Sequence, residues 1–465
     1  MLVLQINLEI IRLTTPTHLA KNSEFRIFKM MHSEPQRIKF LTFNTWGLKY
    51  VSKHRRARLR ALAEKLAGHQ NSNIKSLPNS EDLYADNDFE DYDIVALQEI
   101  WCKEDWDYIV EQCGKIFPYY RWFYSGILSG PGLAILSKIP IESTFLYRYP
   151  INGRPSAIHR GDWYVGKSIA ITTLRNRQNP TTPIVIMNSH MHAPYSLTGD
   201  AAYSCHRSCQ AWDFAKLAKI YREAGYAVVI VGDLNSRPGS LPHNILTKEA
   251  GLIDSWEQLH GKQDLEKIRT MNAMDQLVYA CTTCDSTLNT WRATRRPDEA
   301  CRLDYALVDP RRLTTIKTGI KFTELIDGVG SFSDHFAYSC TLEVLRDNNV
   351  KKLQTELSDR IKIHEDLELC IEDYLITARK QKFLRGLHFW MSVFLMISCA
   401  VVTTFTSNVA GWSSIFWVLF AIVVAVTGVI DGMISFLFGR SEIRALWEVQ
   451  HEVKDSKRYL EEMSA

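Results

Sequence analysis

"AVVIVGDLN", residues 227–235, is the stretch on which the fold turns. Its β-branched run reads as a strand, yet it closes on Asp233 and Asn235, polar residues that a core strand has no packing reason to carry. The same pattern recurs along the chain. Asn44 follows the apolar part of "IKFLTFNTW" (38–46), Glu99 that of "YDIVALQEI" (92–100), and His190 that of "PIVIMNSHMHA" (183–193). Asp304 sits in "RLDYALV" (302–308), and Asp334 and His335 close "SFSDH" (331–335). With "GLAILSK" (132–138) and "SIAITTL" (168–174), these strands alternate with helical patterns. The reading is an α/β domain over 38–345, two packed sheets flanked by helices. One carboxylate after a strand is a helix cap or a turn residue. A whole set of Asn, Asp, Glu and His at strand ends instead makes an oxygen-rich pocket for a hard divalent ion, with histidines for proton transfer.

Outside that domain the composition changes. "LHFWMSVFLMISCAVVTTF" (387–405) and "WSSIFWVLFAIVVAVTGVI" (412–430) are uncharged and long enough to cross a bilayer. The link "TSNVAG" (406–411) is too short for a domain, so the pair reads as a hairpin within 387–438. Arg379, Lys380, Lys382 and Arg385 precede it and Arg440 and Arg444 follow it, which predicts an integral membrane protein with both ends and the catalytic domain cytosolic. Residues 349–386 read as a charged helical stalk, 439–465 as a C-terminal helix, 1–37 as a disordered leader without a secretory signal, and 70–91 as a surface loop. The net charge of +3 argues against a protein that coats nucleic acid. Ten cysteines in 465 residues make no disulfide framework, and Cys281 and Cys284 lack a second pair at zinc-finger spacing. Reduced thiols fit the cytosol.

"GDWYVGKS" (161–168) has the spelling of a nucleotide-binding loop. Such a loop needs small interior residues and a helix beginning at its Lys-Ser. Here Asp162, Trp163 and Tyr164 crowd the interior, and the residues from Ser168 alternate as a strand. No nucleotide is expected. Lys167 is expected either to contact a substrate phosphate or to pair with Asp162 and hold the loop over the metal site.

In this order and at these separations, "FNTW", "LQE", "NSH", "GDLN", "RLDY" and "SDH" resemble the endonuclease/exonuclease/phosphatase superfamily. The resemblance implies a four-layered α/β sandwich of the type I deoxyribonuclease kind and Mg²⁺-dependent cleavage of phosphate esters. "GPGLAILSKIPI", "HRGDWYVGKS", "NSHMHAPY", "HRSCQAW" and "GDLNSRPGSLPH" resemble the neutral sphingomyelinase branch. The hairpin narrows the likeness to the fungal inositol phosphosphingolipid phospholipases C. Carried onto this chain, the likeness implies that Glu99 holds Mg²⁺, with Asn44 supporting metal or phosphate. It implies His335, oriented by Asp334, as general base, with Asp233 aligning the water. Asn235 and His190 would donate to the phosphoryl oxygens, and Asp304 would orient His190 or the metal shell. His192 is the alternative to His190, because residues two apart in a strand face the same way.

The spans favour a lipid substrate over nucleic acid, with ceramide and a phosphorylated headgroup as products. The inositol headgroup rests on the resemblance, and sphingomyelin is the alternative. Anionic phospholipids are expected as activators, because cations before the first span sit where such lipids lie. The residues name no organelle; the resemblance implies the endoplasmic reticulum, the mitochondrial outer membrane, or both.

Overall fold

Each of the apolar runs forms a strand, and their period of two sorts side chains onto opposite faces. In β9 (Ala227–Asp233), Val228 and Ile230 face a helical layer while Ala227, Val229 and Val231 face a second sheet. In β1 (Arg37–Asn44), Ile38 and Phe40 face between the sheets and Leu41 and Phe43 face outward. Burial on both faces is why these runs are almost wholly apolar. The computed structural model describes residues 36–69, 71–77, 91–126, 129–175, 182–345 and 357–464. The chain divides into Met1–Gln36 and Arg37–Ala465, and every element below belongs to the second unit. The expected leader lies outside the described residues except at its last two positions, and so does most of the expected 70–91 loop.

The first sheet has the order β12-β15-β1-β3-β5-β4, with β3 Ile94–Gln98, β4 Tyr119–Trp122, β5 Ala134–Ser137, β12 Leu313–Lys321 and β15 Ala337–Val344. The second has the order β10-β11-β9-β8-β7-β6, with β6 Ile141–Arg148, β7 Ser168–Leu174, β8 Ile184–Ser189, β10 Ile253–Asp254 and β11 Asp304–Val308. Helices α1 (Arg55–Leu66) and α2 (Lys103–Cys113) cover the first sheet, and α3 (Ser204–Glu223) covers the second. Three short strands, β2 (Ile74–Lys75), β13 (Leu325–Ile326) and β14 (Gly330–Ser331), form a small third sheet, and the main body has four layers, helix, sheet, sheet, helix. Between the sheets Gln98 Nε2 donates to Asn188 Oδ1 (2.8 Å), and Asn188 Nδ2 donates to the carbonyls of Leu97 and Ala134 (3.2 Å each). This buried polar bridge locks the two sheets directly beneath the strand ends.

The stalk and the first span form one helix, α4 (Leu357–Thr406). Helix α5 (Ser413–Met433) runs through a π-helical turn, Ile434–Phe438, into α6 (Gly439–Ser464). The stalk is part of the domain's outer layer. Ile363, Leu367, Ile371 and Leu375 of α4 and Ile443, Leu446, Val449 and Val453 of α6 share one core with α3. Their three- and four-residue spacing puts them on a single helical stripe, which must be buried. Polar contacts reinforce the seam: Glu249 accepts from Arg360 Nε (2.8 Å), Lys219 Nζ (2.6 Å) and His364 Nε2 (3.1 Å). Glu442 accepts from Tyr374 Oη (2.7 Å) and lies 3.1 Å from His206 Nε2.

Beyond Lys382 the surface changes character. Phe383, Trp390, Phe394, Phe405, Ile415, Leu419, Val423 and Leu437 are exposed. Among the described residues, two helices are long and apolar enough to cross a membrane, which suggests membrane anchoring. Gly428 and Gly432 let α5 approach α4, since a β-carbon at either would collide with Ser392 or Phe389. Asp431, just past the uncharged run, pairs with Arg385 (2.9 Å) and His388 (2.8 Å).

Candidate active site

Strands β1 and β3 run parallel, as do β8 and β9, so each sheet gathers two carboxyl ends. Antiparallel β11 begins with Asp304 opposite Asp233. Loops beyond such ends are where open α/β sheets bind ligands. Here they enclose a cavity of about 330 Å³ lined by Asn44, Glu99, Asp162, Lys167, His190, Asp233, Asn235, Asp334 and His335. The backbone is bent for the purpose: Glu99 has φ 62° and Asn235 φ 47°, left-handed conformations that cost a side-chain-bearing residue energy. Gly47 allows the chain to pass Glu99, because a β-carbon there would collide with the Glu99 carbonyl oxygen.

Asn44 is the hub. Its Nδ2 donates to Glu99 Oε1 (3.1 Å) and Asp233 Oδ2 (3.0 Å), and its Oδ1 accepts from the Trp46 N–H (3.0 Å). Trp101 Nε1 donates to the other Glu99 oxygen (3.3 Å). The Asn235 N–H donates to Asp233 Oδ1 (2.9 Å), while Asn235 Nδ2 donates to the Met191 carbonyl (3.0 Å). His335 Nδ1 lies 2.8 Å from Asp304 Oδ2, which leaves Nε2 facing Asp233 Oδ2 across 3.8 Å. His190 Nε2 lies 3.6 Å from the same oxygen.

Burial drives the proton affinities apart. Desolvation pushes Asp233 up, with Asp304 adding to it and His335 opposing. Burial opposes charge on His335, but Cys284, Asp304 and Asp233 outweigh it and hold the imidazole well above its usual range. His190 goes the other way: burial, then Lys167 and His335, keep it neutral. Two histidines in one cavity thus have opposite tendencies.

Three expectations change. His335 is oriented by Asp304, whereas Asp334 is held by Arg292 Nη2 (2.6 Å), because adjacent residues in this turn point apart. Asp304 accordingly contacts His335 and not His190, and with Asp233 and His335 it belongs to the set that could hold a metal, the other half of its expected role. His192 does not line the cavity. Strand β8 ends at Ser189, so the two-residue periodicity no longer applies, and the His192 ring stacks on Tyr203 at 4.1 Å. Lys167 lies 3.4 Å from Asp162 Oδ1 and donates to the Met191 carbonyl (3.3 Å), and β7 begins at Ser168 as its alternation reads.

Sequence reasoning missed Trp101, Tyr195, Arg58, Asp285, Arg292 and Arg295. Arg58 is wholly buried and donates to the carbonyls of Thr45 (3.0 Å), Trp46 (2.8 Å) and Phe332 (2.7 Å), tying the β1 end to the turn that carries His335. No pattern marks it, since it reads as one more charge in "HRRARLR". Cys284, left without a role by the sequence, lines the cavity.

The donor set fits a hard divalent cation. Asp233, Asp304 and His335 bring ligand atoms within 4.8 Å of one another. Among the described residues Asp304 Oδ1 is buried without a partner. Burial, then Asp334, raises Glu99 above the usual carboxylate range, so positive charge is in deficit there.

The sequence matches the model of the Endonuclease/Exonuclease/phosphatase family over residues 41–335. It is similar to "Inositol phosphosphingolipids phospholipase C" of Saccharomyces cerevisiae, 63% identical over 92% of each chain. A protein of the same description from Schizosaccharomyces pombe is 34% identical over 90% of this chain and 94% of its own. "Sphingomyelin phosphodiesterase 2" of Mus musculus is 31% identical over 49% of each chain.

Proposed function

We infer the reaction from the premise that this chain belongs to the endonuclease/exonuclease/phosphatase family. It is a phosphodiester hydrolase, a phospholipase C that cuts inositol phosphosphingolipids to ceramide and a phosphorylated inositol headgroup. The observation that carries this is the 63% identity over 92% of both chains, a span that takes in the cavity and the hairpin together. The sphingomyelinase reading has support from relatives near 30% identity that match about half of the chain.

The assignment of residues is our proposal. Glu99, tied through the Asn44 amide to Asp233, would hold Mg²⁺. When bound, the ion would supply positive charge to the phosphoryl oxygens and the departing alkoxide. In its neutral form, which a cation held among these carboxylates would favour by offsetting their charge, His335 Nε2 takes a proton from the attacking water, and Asp304 holds the imidazole in the tautomer that can do so. Asp233 aligns that water. His190, kept neutral, and the second hydrogen of Asn235 Nδ2 donate to the phosphoryl oxygens as negative charge builds. Lys167, steadied by Asp162, presents its charge from the flank.

The finer reading of the membrane part is also proposed. Both ends and the catalytic domain are cytosolic, by the basic residues around the hairpin. Phosphatidylserine, phosphatidylglycerol and cardiolipin activate, through Arg379, Lys380 and Lys382. The endoplasmic reticulum and the mitochondrial outer membrane follow from the resemblance alone. Purified protein in mixed micelles with inositol phosphoceramide, sphingomyelin or plasmid DNA, with Mg²⁺ or chelator, tests the reaction. Ceramide release from the inositol lipid, lost with chelator, is expected. Faster release from sphingomyelin, or nicked DNA, would overturn the reading.

A further inference from the structure

Strand order gives the cavity a direction. Lys167 precedes β7 and Asp304 opens β11, with β8 and β9 between them. At the usual spacing of neighbouring strands, those flanks are about 14 Å apart. The β7 flank faces the hairpin: the Trp163 ring sits 4.6 Å from that of Phe438 in the π-helical turn, and Arg154 Nε donates to Tyr374 Oη of α4 (3.3 Å). Acyl chains of a membrane lipid would therefore approach from the β7 side. A phosphate seated over the β8 and β9 ends, where His190 and Asp233 stand, would direct its headgroup to the β11 flank.

That flank carries the residues on which the mechanism makes no demand. Arg292 and Arg295 line the cavity wall with Asp285 between them. Arg292 Nε and Arg295 Nε lie 3.7 and 3.4 Å from Asp285 Oδ1. These ion pairs are longer than hydrogen bonds, and all three side chains reach the cavity surface, so a ligand that donates and accepts can enter between them. Asp285 is held in the left-handed region at φ 54°, and the Arg295 side chain is 46% exposed. A polyol ring both donates and accepts, and so matches an arrangement of guanidinium donors around a carboxylate acceptor. A trimethylammonium group can do neither, and two guanidinium groups repel its charge.

Resting on the phospholipase C reading above, we propose that Arg295, with Arg292 and Asp285, forms the subsite that selects an inositol phosphate headgroup over phosphocholine. The full-length enzyme and its Arg295→Ala, Arg295→Glu and Asp285→Asn variants would be assayed in the same detergent micelles. The readout is kcat/KM on inositol phosphoceramide divided by kcat/KM on sphingomyelin. Arg295→Ala is expected to lower that ratio about tenfold, Arg295→Glu further, and Asp285→Asn to move it in the same direction. A parallel fall on both lipids, which leaves the ratio unchanged, overturns the assignment, as does a ratio that no variant moves. A wild-type enzyme that does not prefer the inositol lipid overturns the underlying reading, and this assignment with it. The two failures are separated by the wild-type ratio alone.

Discussion

At the strand ends carboxylates, imidazoles and Lys167 are buried, while in the hairpin Phe, Trp, Leu and Ile are exposed. Each region inverts the usual sorting of side chains, and each inversion names a counterpart. Concentrated negative charge at Glu99, Asp233 and Asp304 suits a cation and a phosphate bound through it. Exposed apolar helix faces call for hydrocarbon. The seam of α3, α4 and α6 separates the two and obeys ordinary rules, apolar side chains inside and ion pairs closing its rim. The difference teaches that one chain can present two unlike surfaces when a well-packed layer holds them apart.

The largest predicted effect breaks the comparison at the cavity. His335→Ala and Glu99→Gln should each lower kcat by about a thousandfold or more while thermal unfolding stays near wild type. Residual activity within tenfold of wild type for both would remove the cavity from the chemistry. A finer cut follows from the exchanged partners: Asp304→Asn should cost about 10²–10⁴ in kcat through a misdirected imidazole. Asp334→Asn should cost clearly less, because Asp334 holds Arg292. Equal losses in stopped assays at saturating substrate would restore Asp334 as the orienting residue.

The hairpin side is broken by excision. A β-carbon at Gly439, the first residue of α6, would lie 3.7 Å from that of Lys382, so α4 and α6 lie close enough to be joined by a short turn in place of residues 383–438. Such a protein should keep its activity on detergent-dispersed lipid and lose about tenfold or more on vesicles, since tethering supplies effective concentration. Equal rates on vesicles would make the spans irrelevant to turnover.

The smallest effect concerns the seam. Burial works against charge on Glu249, but His364, Arg360 and Lys219 outweigh it and hold its carboxyl well below the usual range. A depressed folded-state pKa means stabilisation that is present above the unfolded value of about 4.3 and fades as pH falls through the folded one. Glu249→Gln should therefore destabilise by about 3 kcal/mol at pH 7 and progressively less below pH 4. A pH-independent difference in urea midpoints would show that the charge contributes nothing.

Much of this was legible in the chain. Strands such as "IVALQ" and "AVVIVGD" declare themselves because burial on both faces leaves no room for polar residues until the strand ends, and the polar residues that then appear mark the cavity. The loop before β11 was not legible. Arg292, Arg295 and Asp285 have no periodicity, and their place in the cavity depends on the bridge of Cys284 to Cys301 and His335. His192 was misplaced because periodicity holds only while the strand lasts.

The sequence by itself determined the α/β architecture, the pocket's complement of acids and histidines, and the apolar hairpin, because local pattern and composition carry burial. Tertiary structure alone decided that Asp304 and not Asp334 contacts His335, that the stalk is an outer layer of the domain, and that the hairpin meets the loop beside the cavity through Trp163 and Phe438. Those depend on distances between residues far apart in the chain, and no local pattern encodes a distance.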